Sequence, residues 1–303
     1  MEWEVSLIEW IQNTLGSLHS AVGTALSFIA GETGLMLVLL IVLFCWKKEV
    51  GKRLALIITV INTWLPMLKA AVTRPRPYMQ YPERVKGVAD FGNSASLDDV
   101  AAQGWSFPSI HSASAAGLFF PLAREVKKRW MWITAACVIF LVGLSRAVTA
   151  MHYPTDILAG WALGLIVAWI CLTLEKKVKN EWTRHLILLA VSLPGVFFVR
   201  TDDYFTSLGL LIGLIAAIRF EEKFVRFSDT RNVFAMILRL IGAFAIYYVM
   251  NTLLKLPFSK DFLTGGTLPA FLTRTARYAL IIFTIIGIWP MAFPLFEKIG
   301  RRG

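Results

Sequence analysis

The chain has 303 residues, 56% of them hydrophobic and only 17% charged, with 31 lysines and arginines against 20 acidic residues for a formal net charge of +11. A soluble globule of this length carries about a quarter charged residues, so the composition excludes that class and points to an integral membrane protein. The basic excess lies in short loops between apolar blocks, which fits orientation in a membrane rather than a nucleic-acid partner.

The first segment, MEWEVSLIEWIQ, is acidic and lacks the basic n-region of a cleavable signal peptide. Trp3, Val5, Leu7, Ile8, Trp10 and Ile11 fall mostly at helical spacing, which predicts an amphipathic helix lying in the membrane interface. Apolar blocks then predict spans at about 32–46, 54–69, 111–123, 130–146, 155–174, 185–199, 203–219, 232–253 and 275–297. The fold class is therefore all-α, a polytopic transmembrane bundle of about nine spans. Pro194 falls in the sixth span, and Pro290 and Pro294 in the last; neighbouring helices of a bundle tolerate such breaks.

Sorting the loops by side places nineteen of the 31 basic residues on one face, around 47–53, 124–129, 175–184, 219–231 and after 297. That face is expected to be cytoplasmic, with Trp46, Trp130, Trp132 and Trp182 flanking it as an aromatic belt. Cys45, Cys137 and Cys171 stand in apolar stretches without CxxC spacing and read as buried small hydrophobes. A long loop at about 77–107 faces the other side, and connections of that length in a compact bundle are usually functional or mobile.

Three polar islands share this outer face: KAAVTRPRP (Lys69 to Pro77), SFPSIHS (Ser106 to Ser112) and SRAVTAMHYPTD (Ser145 to Asp156). Each sits at a helix end. They hold the cations Lys69, Arg74, Arg76 and Arg146, the histidines His111 and His152, the hydroxyls Ser109 and Ser145, and the carboxylate Asp156. Arginine forks match phosphate oxygens and lysine adds a point charge, so the inventory suits a phosphate. Pro108 and Ser109 also place free backbone N–H groups at a helix start, which favours an anion. A single aspartate among so many cations makes a poor magnesium site, so no metal and no cofactor is expected. Pro154 fits the first position of the fifth span, which makes Asp156 an early-turn neighbour of His152. A carboxylate on one imidazole nitrogen leaves the other free to attack, and His111 is placed to protonate the leaving oxygen.

Lys69-x6-Arg76-Pro77, Pro108-Ser109-x-His111 and Ser145-Arg146-x5-His152-x3-Asp156 resemble, in order and spacing, the tripartite signature of the type-2 phosphatidic acid phosphatase superfamily. The resemblance covers about residues 20–175. It implies that His152 is the nucleophile, Asp156 its orienting partner and His111 the general acid. Lys69, Arg76, Ser109 and Arg146 would hold the phosphate and its transition-state charge. Arg74 and Ser145 are auxiliary at most. The family's second motif usually reads Pro-Ser-Gly-His; Ile110 replaces the glycine, so its side chain must point away from the phosphate or alter the pocket. The family core commonly has a span before its interfacial helix; none stands there in this chain, which would put the N-terminus outside.

Residues 1–178 are thus expected to form a catalytic core with an interfacial helix, and 179–303 a four-span extension. The expected activity is metal-independent hydrolysis of a lipid phosphate or diphosphate through a phosphohistidine, at the extracytoplasmic face of a bacterial cytoplasmic membrane. Polyprenyl diphosphate, phosphatidylglycerophosphate and phosphatidate are the candidate substrates. Two readings stay open beside it: a phosphotransferase that uses the same phosphohistidine with another acceptor, and a non-catalytic module on a decayed core, which only Ile110 favours. Partners are the substrate and membrane lipids, and the oligomeric state is left open. His19 and His185 read as ordinary solvated or packed residues. Arg239, in mid-span, is expected to face the bundle in an internal ion pair or carbonyl contact, with a second polar site as the sharper alternative.

Overall fold

The computed structural model of the protein describes residues 2–30, 32–88, 97 and 104–299, the side chains of 27–30, 32, 33 and 299 excepted. Among the described residues the regular structure is all helical, without strands. The chain divides into two compact units, one of Met1–Leu37 and Trp64–Leu174, the other of Val38–Thr63 and Glu175–Gly303.

The first unit opens with α1 (Glu2–Leu15), whose first turn carries Glu2 and Glu4, the end of the dipole that favours anions. Val5, Ile8, Glu4 and Gln12 are buried, while Trp3, Leu7 and Trp10 are exposed. The N-terminal spacing predicts a helix here, but the structure divides the expected apolar set between a buried face, with Val5 and Ile8, and an exposed one, with Trp3, Leu7 and Trp10. A second helix, α2 (His19–Ala30), follows where no element was expected. Ser20, Gly23, Thr24 and Ser27 dilute its apolar signal.

Helix α3 (Glu32–Ile41) continues through a π-turn, Val42–Trp46. Helix α4 (Lys48–Val72) carries Lys69 in its last turn and ends at Thr73, whose φ of 49° is left-handed. Pro75 and Pro77 just beyond cannot extend it. A short α5 (Pro77–Gln80) follows. The rest of the expected outer loop is described at 81–88, 97 and 104–107; its remaining residues, Gly92 among them, lie outside the described ones.

Ser109 caps α6 (Ile110–Val126) by accepting from the backbone N–H of Ser112. Helix α7 (Arg129–Val148) carries Ser145 and Arg146 in its last turn, and α8 (Pro154–Lys177) begins with proline at its first position, as expected. Small residues let α8 approach α6 closely. A Cβ on Gly160 would stand 2.5 Å from the Ser109 carbonyl oxygen, and one on Gly164 would collide with the Ala113 carbonyl.

The second unit contains α9 (Glu181–Ser192), α10 (Gly195–Phe198), α11 (Asp202–Phe220), α12 (Val233–Leu253), α13 (Lys260–Thr264), α14 (Leu268–Phe283) and α15 (Phe293–Ile299). Pro194 separates α9 from α10, and Pro290 lies in the turn before α15. Phe205 and Phe271 stack at 4.6 Å where α11 meets α14, and Thr275 donates to the Phe205 carbonyl at 2.9 Å. Helix α12 buries only Ala235, Arg239 and Ala243, one stripe at four-residue spacing; Val233, Ile237, Ile241 and Val249 are exposed. An apolar helix with a single buried stripe suits a lipid surround.

Six of the nine expected spans belong to helices long and apolar enough to cross a membrane: Lys48–Gln80, Arg129–Val148, Pro154–Lys177, Asp202–Val225, Val233–Leu253 and Leu268–Lys298. The three others are shorter helices, Gly34–Trp46, Ile110–Val126 and the broken pair α9–α10. Trp46, Trp130, Trp132 and Trp182 are all exposed, as belt residues are. Cys45 and Cys171 are buried, but Cys137 is exposed on an outer face of α7, against expectation. Arg239 is 1% exposed; it pairs with Glu297 at 3.0 Å and donates to the carbonyls of Phe44 and Ser228 at 2.6 and 3.2 Å. That is the internal ion pair with carbonyl contacts, not a second site.

Candidate active site

The three polar islands meet through contacts on the first turn of α8, all within the first unit. From the first island, Arg74 donates to Asp156 Oδ1 at 2.6 Å, and Arg76 donates to the carbonyls of Gly104 and Met151 at 3.1 and 3.2 Å. Gly104 has a φ of 67°, a left-handed conformation that glycine adopts without a steric penalty. Lys69 Nζ donates to the Trp105 carbonyl oxygen. From the second island, Ser106 Oγ donates to Asp156 Oδ2 at 2.5 Å, and the Ser109 N–H donates to the Asp156 carbonyl at 3.1 Å. From the third, the His152 N–H donates to the Arg146 carbonyl at 3.3 Å. A turn with Ala150 in the left-handed region, φ 53°, makes that last contact. For a residue with a Cβ this conformation costs about 1 kcal/mol.

Asp156, His152, Arg146, Ser109 and Lys69 are all buried. His111 is half-buried on the first turn of α6, two residues past the Ser109 cap. The Ser109 hydroxyl also accepts from Ser112 Oγ at 2.9 Å, which leaves its own proton for another acceptor. Ser145 Oγ donates to the Val142 carbonyl at 2.7 Å and accepts from Arg146 Nε at 3.1 Å, so it steadies the guanidinium. Ile110 opens α6, half-buried. Gly160 of α8 packs closely against the Ser109 carbonyl beside this motif.

The His152–Asp156 pair differs in detail from expectation. His152 Nδ1 stands 3.7 Å from Asp156 Oδ2 and has no hydrogen-bond partner among the described residues. The carboxylate is instead held by Arg74, by Ser106 and by the Tyr153 N–H, which donates to Oδ2 at 2.8 Å. Burial, reinforced by the nearby charges of Lys69 and Arg76, lowers the imidazole pKa from the usual 6.5 to about 3, against the pull of Asp156. His152 is therefore neutral at physiological pH, the state a nitrogen nucleophile requires.

Four residues with a part in this arrangement carried no assignment from sequence. Ser106 and Tyr153 hold Asp156; Thr155 and Glu4 hold Arg74. Ser106 and Tyr153 lie inside the quoted islands, so a donor count around the lone aspartate is the signal that points to them. Glu4 has no local signal, being 70 residues from Arg74 in the chain.

Two family models match the chain: the PAP2 superfamily over residues 52–179, and the transmembrane extension of PAP2 superfamily phosphatases over residues 205–301. Phosphatidylglycerophosphatase B of Bacillus subtilis is 32% identical over 85 residues, which is 25% of this chain and 42% of that protein. A lipid A 1-phosphatase of Rhizobium johnstonii is 33% identical over 106 residues, 35% of this chain and 38% of its own length. An undecaprenyl-diphosphatase of Sulfolobus acidocaldarius is 24% identical over 146 residues, 46% of this chain and 65% of its own. The chain thus spans less than two thirds of the length of each of these relatives. No solved structure matches it significantly. With one family model over the motif segments and the other over the helices that follow, this integral membrane protein belongs to the PAP2 superfamily and carries the transmembrane extension described for the superfamily's phosphatases.

Proposed function

We propose that the protein is a membrane lipid phosphatase that removes phosphate from a lipid phosphate or diphosphate through phospho-His152. The observation that carries this reading is the convergence of all three motif segments on one helical turn, beside a buried, neutral histidine.

Asp156 lies on the Nδ1 side of His152, so Nε2 is the attacking nitrogen. It forms a bond to phosphorus while the P–O bond to the lipid breaks, and His111 gives its proton to the departing oxygen. Water, deprotonated by His111, then attacks phosphorus; the P–N bond breaks and inorganic phosphate leaves. Lys69, Arg76, Arg146 and the Ser109 hydroxyl neutralise charge on the phosphoryl oxygens in both steps. Asp156 offsets the positive charge that the imidazole gains on phosphorylation, as its separation from Nδ1 closes. The donor set is cationic and hydroxylic, so the charge a metal ion would supply comes from side chains.

The basic loops favour a site on the extracytoplasmic side, and we read the membrane as a bacterial cytoplasmic one, residues 1–178 as the catalytic core, 179–303 as the extension, and the crossings as nine. Polyprenyl diphosphate, phosphatidylglycerophosphate and phosphatidate are the head groups to try first, and the relatives add lipid A phosphates.

The test is phosphate release by purified protein in detergent, under excess chelator, across a panel of these lipids, with His152→Ala beside wild type. Release that persists under chelation and disappears in the variant is the expected result. Turnover by His152→Ala at the wild-type rate overturns the mechanism. Transfer of the phosphoryl group to an alcohol in place of water would show in the products.

A further inference from the structure

We propose that Glu4, on the N-terminal helix α1, is a positioning residue of the active site that acts on Asp156 through Arg74. The proposal rests on the roles given above to His152 and Asp156.

Glu4 is 3% exposed, although α1 otherwise turns Trp3, Leu7 and Trp10 outward. Its Oε2 accepts from Arg74 at 2.9 Å, and its Oε1 accepts from the Thr155 hydroxyl at 2.5 Å and the Thr155 N–H at 3.2 Å. Arg74 gives its other terminal nitrogen to Asp156 Oδ1 at 2.6 Å and to the Thr155 hydroxyl at 2.8 Å. The Tyr153 ring lies 3.8 Å from the guanidinium carbon, closing one face of the fork. One arginine is thus divided between two buried carboxylates, one of which lies beside the nucleophilic imidazole.

Two consequences follow from this geometry. The first concerns direction. A guanidinium can engage one carboxylate with two parallel bonds. Glu4 takes one of the two terminal nitrogens, so Arg74 holds Asp156 by a single oxygen and leaves Oδ2 turned towards Ser106, the Tyr153 N–H and His152. Without Glu4, Arg74 is free to close on Asp156 and draw it from the imidazole. The second concerns charge. Glu4, Arg74 and Asp156 together carry one net negative charge, which favours the cationic imidazole formed on phosphorylation. Removing the charge of Glu4 leaves this group neutral. Both effects act on the nucleophile and neither acts on the phosphate-binding cations, so the consequence belongs in kcat and not in KM. Helix α1 is on this account a working part of the site as well as an interfacial element.

Steady-state kinetics on the full chain in detergent test this, with the most active lipid of the panel as substrate and the folded fraction measured by thermal melting. Glu4→Gln, which keeps shape and removes charge, is expected to lower kcat about 10-fold with KM changed less than about twofold. Glu9→Gln makes the same charge change on the same helix, but Glu9 pairs with Arg84 at 2.8 Å and not with the site; its kcat is expected to stay at the wild-type value. Glu4→Asp should recover part of the loss. Where Glu4→Gln fails to fold, Arg74→Lys serves: lysine keeps the charge but cannot divide a fork between two carboxylates, so kcat should fall with KM preserved. A wild-type kcat in Glu4→Gln or Arg74→Lys overturns the proposal. So does an equal fall in Glu9→Gln, or a loss no larger than the unfolded fraction. His152→Ala in the same assay separates the two failures. Silence there with a normal Glu4→Gln rejects the positioning role alone, whereas turnover there rejects the mechanism beneath it.

Discussion

Both compact units bury a carboxylate at zero exposure, and they neutralise it in opposite ways. In the second unit, Glu221 takes two lysines, Lys48 at 3.0 Å and Lys52 at 2.7 Å, and also accepts the Phe227 N–H at 3.0 Å. Lys48 in turn donates to the Phe227 carbonyl at 2.7 Å, and its N–H to Asp229 at 2.9 Å. Two cations converge on Glu221, Lys52 also reaching Glu49 and Glu222 at 3.4 and 3.3 Å, and every partner is a chain segment being held in place. In the first unit, two carboxylates share one arginine, and the aspartate left with spare acceptor capacity lies beside His152. The difference teaches how to read a buried ion pair. A carboxylate clamped directly by two lysines fastens helices, whereas one that shares its arginine with a second carboxylate and lies beside an imidazole keeps acceptor capacity turned towards that ring.

Substitutions that change each carboxylate in the same way put that contrast at risk, and the larger effect is expected in the first unit. Asp156→Asn keeps the shape of the side chain and removes its charge, so the imidazole loses both its electrostatic partner and its preferred tautomer. The expected result is a fall in kcat of about 10²-fold or more with the protein still folded. A wild-type kcat in Asp156→Asn would make Asp156 a fastening group like Glu221 and remove the contrast.

The matching change in the second unit is Glu221→Gln. It leaves Lys48 and Lys52 without their shared buried anion, and breaking a buried pair from one side costs about 3 kcal/mol or more. Thermal melting should show that loss, while kcat per folded molecule stays unchanged. A fall in kcat beyond the unfolded fraction would show that the network serves the reaction, and that the partners of a buried carboxylate do not separate the two kinds of site.

What was legible in the sequence follows the range of each interaction. The three motif segments are short strings, each fixed by residues within a few positions, so a helix start at Pro108-Ser109 and Pro154 at the first position of a helix could be read directly. The long apolar blocks were legible for the same reason. Helix α2 was not, because its serines, glycine and threonine mask an apolar period that only packing on α7 rewards. The Glu4–Arg74 pair was invisible because it joins residues 70 apart, with nothing in either neighbourhood to announce the other. Ile110 bears on backbone approach to a phosphate, a separate matter from helix packing. The close approach of α8 to this segment, through Gly160 and Gly164, was not legible, because the meaning of a small-xxx-small pair depends on which helix faces it. The segment Val38–Thr63 likewise packs with the second unit although it precedes the motifs in the chain, and apolar periodicity carries no information about which neighbour a span chooses.

The smallest expected effect concerns the imidazole itself. Burial, with Lys69 and Arg76 close by, holds the folded-state pKa of His152 near 3, while the unfolded chain titrates at the ordinary 6.5. Between those values the unfolded chain binds a proton that the folded protein refuses. Stability therefore falls as pH falls through this window, and the contribution is intact only above it. At pH 5 the loss from this one group is about 2 kcal/mol relative to pH 8. His152→Gln removes the titration, so its stability should fall less than that of wild type between pH 8 and pH 5, by about that amount, in parallel thermal melts. In the same interval the folded protein keeps the His152 imidazole unprotonated, so no acid limb in kcat/KM above pH 5 should come from His152. Equal pH dependence of stability in wild type and variant would mean that the folded protein protonates this histidine as readily as the unfolded chain does. The first unit would then hold a cationic imidazole against Asp156, an ordinary ion pair of the kind that fastens the second.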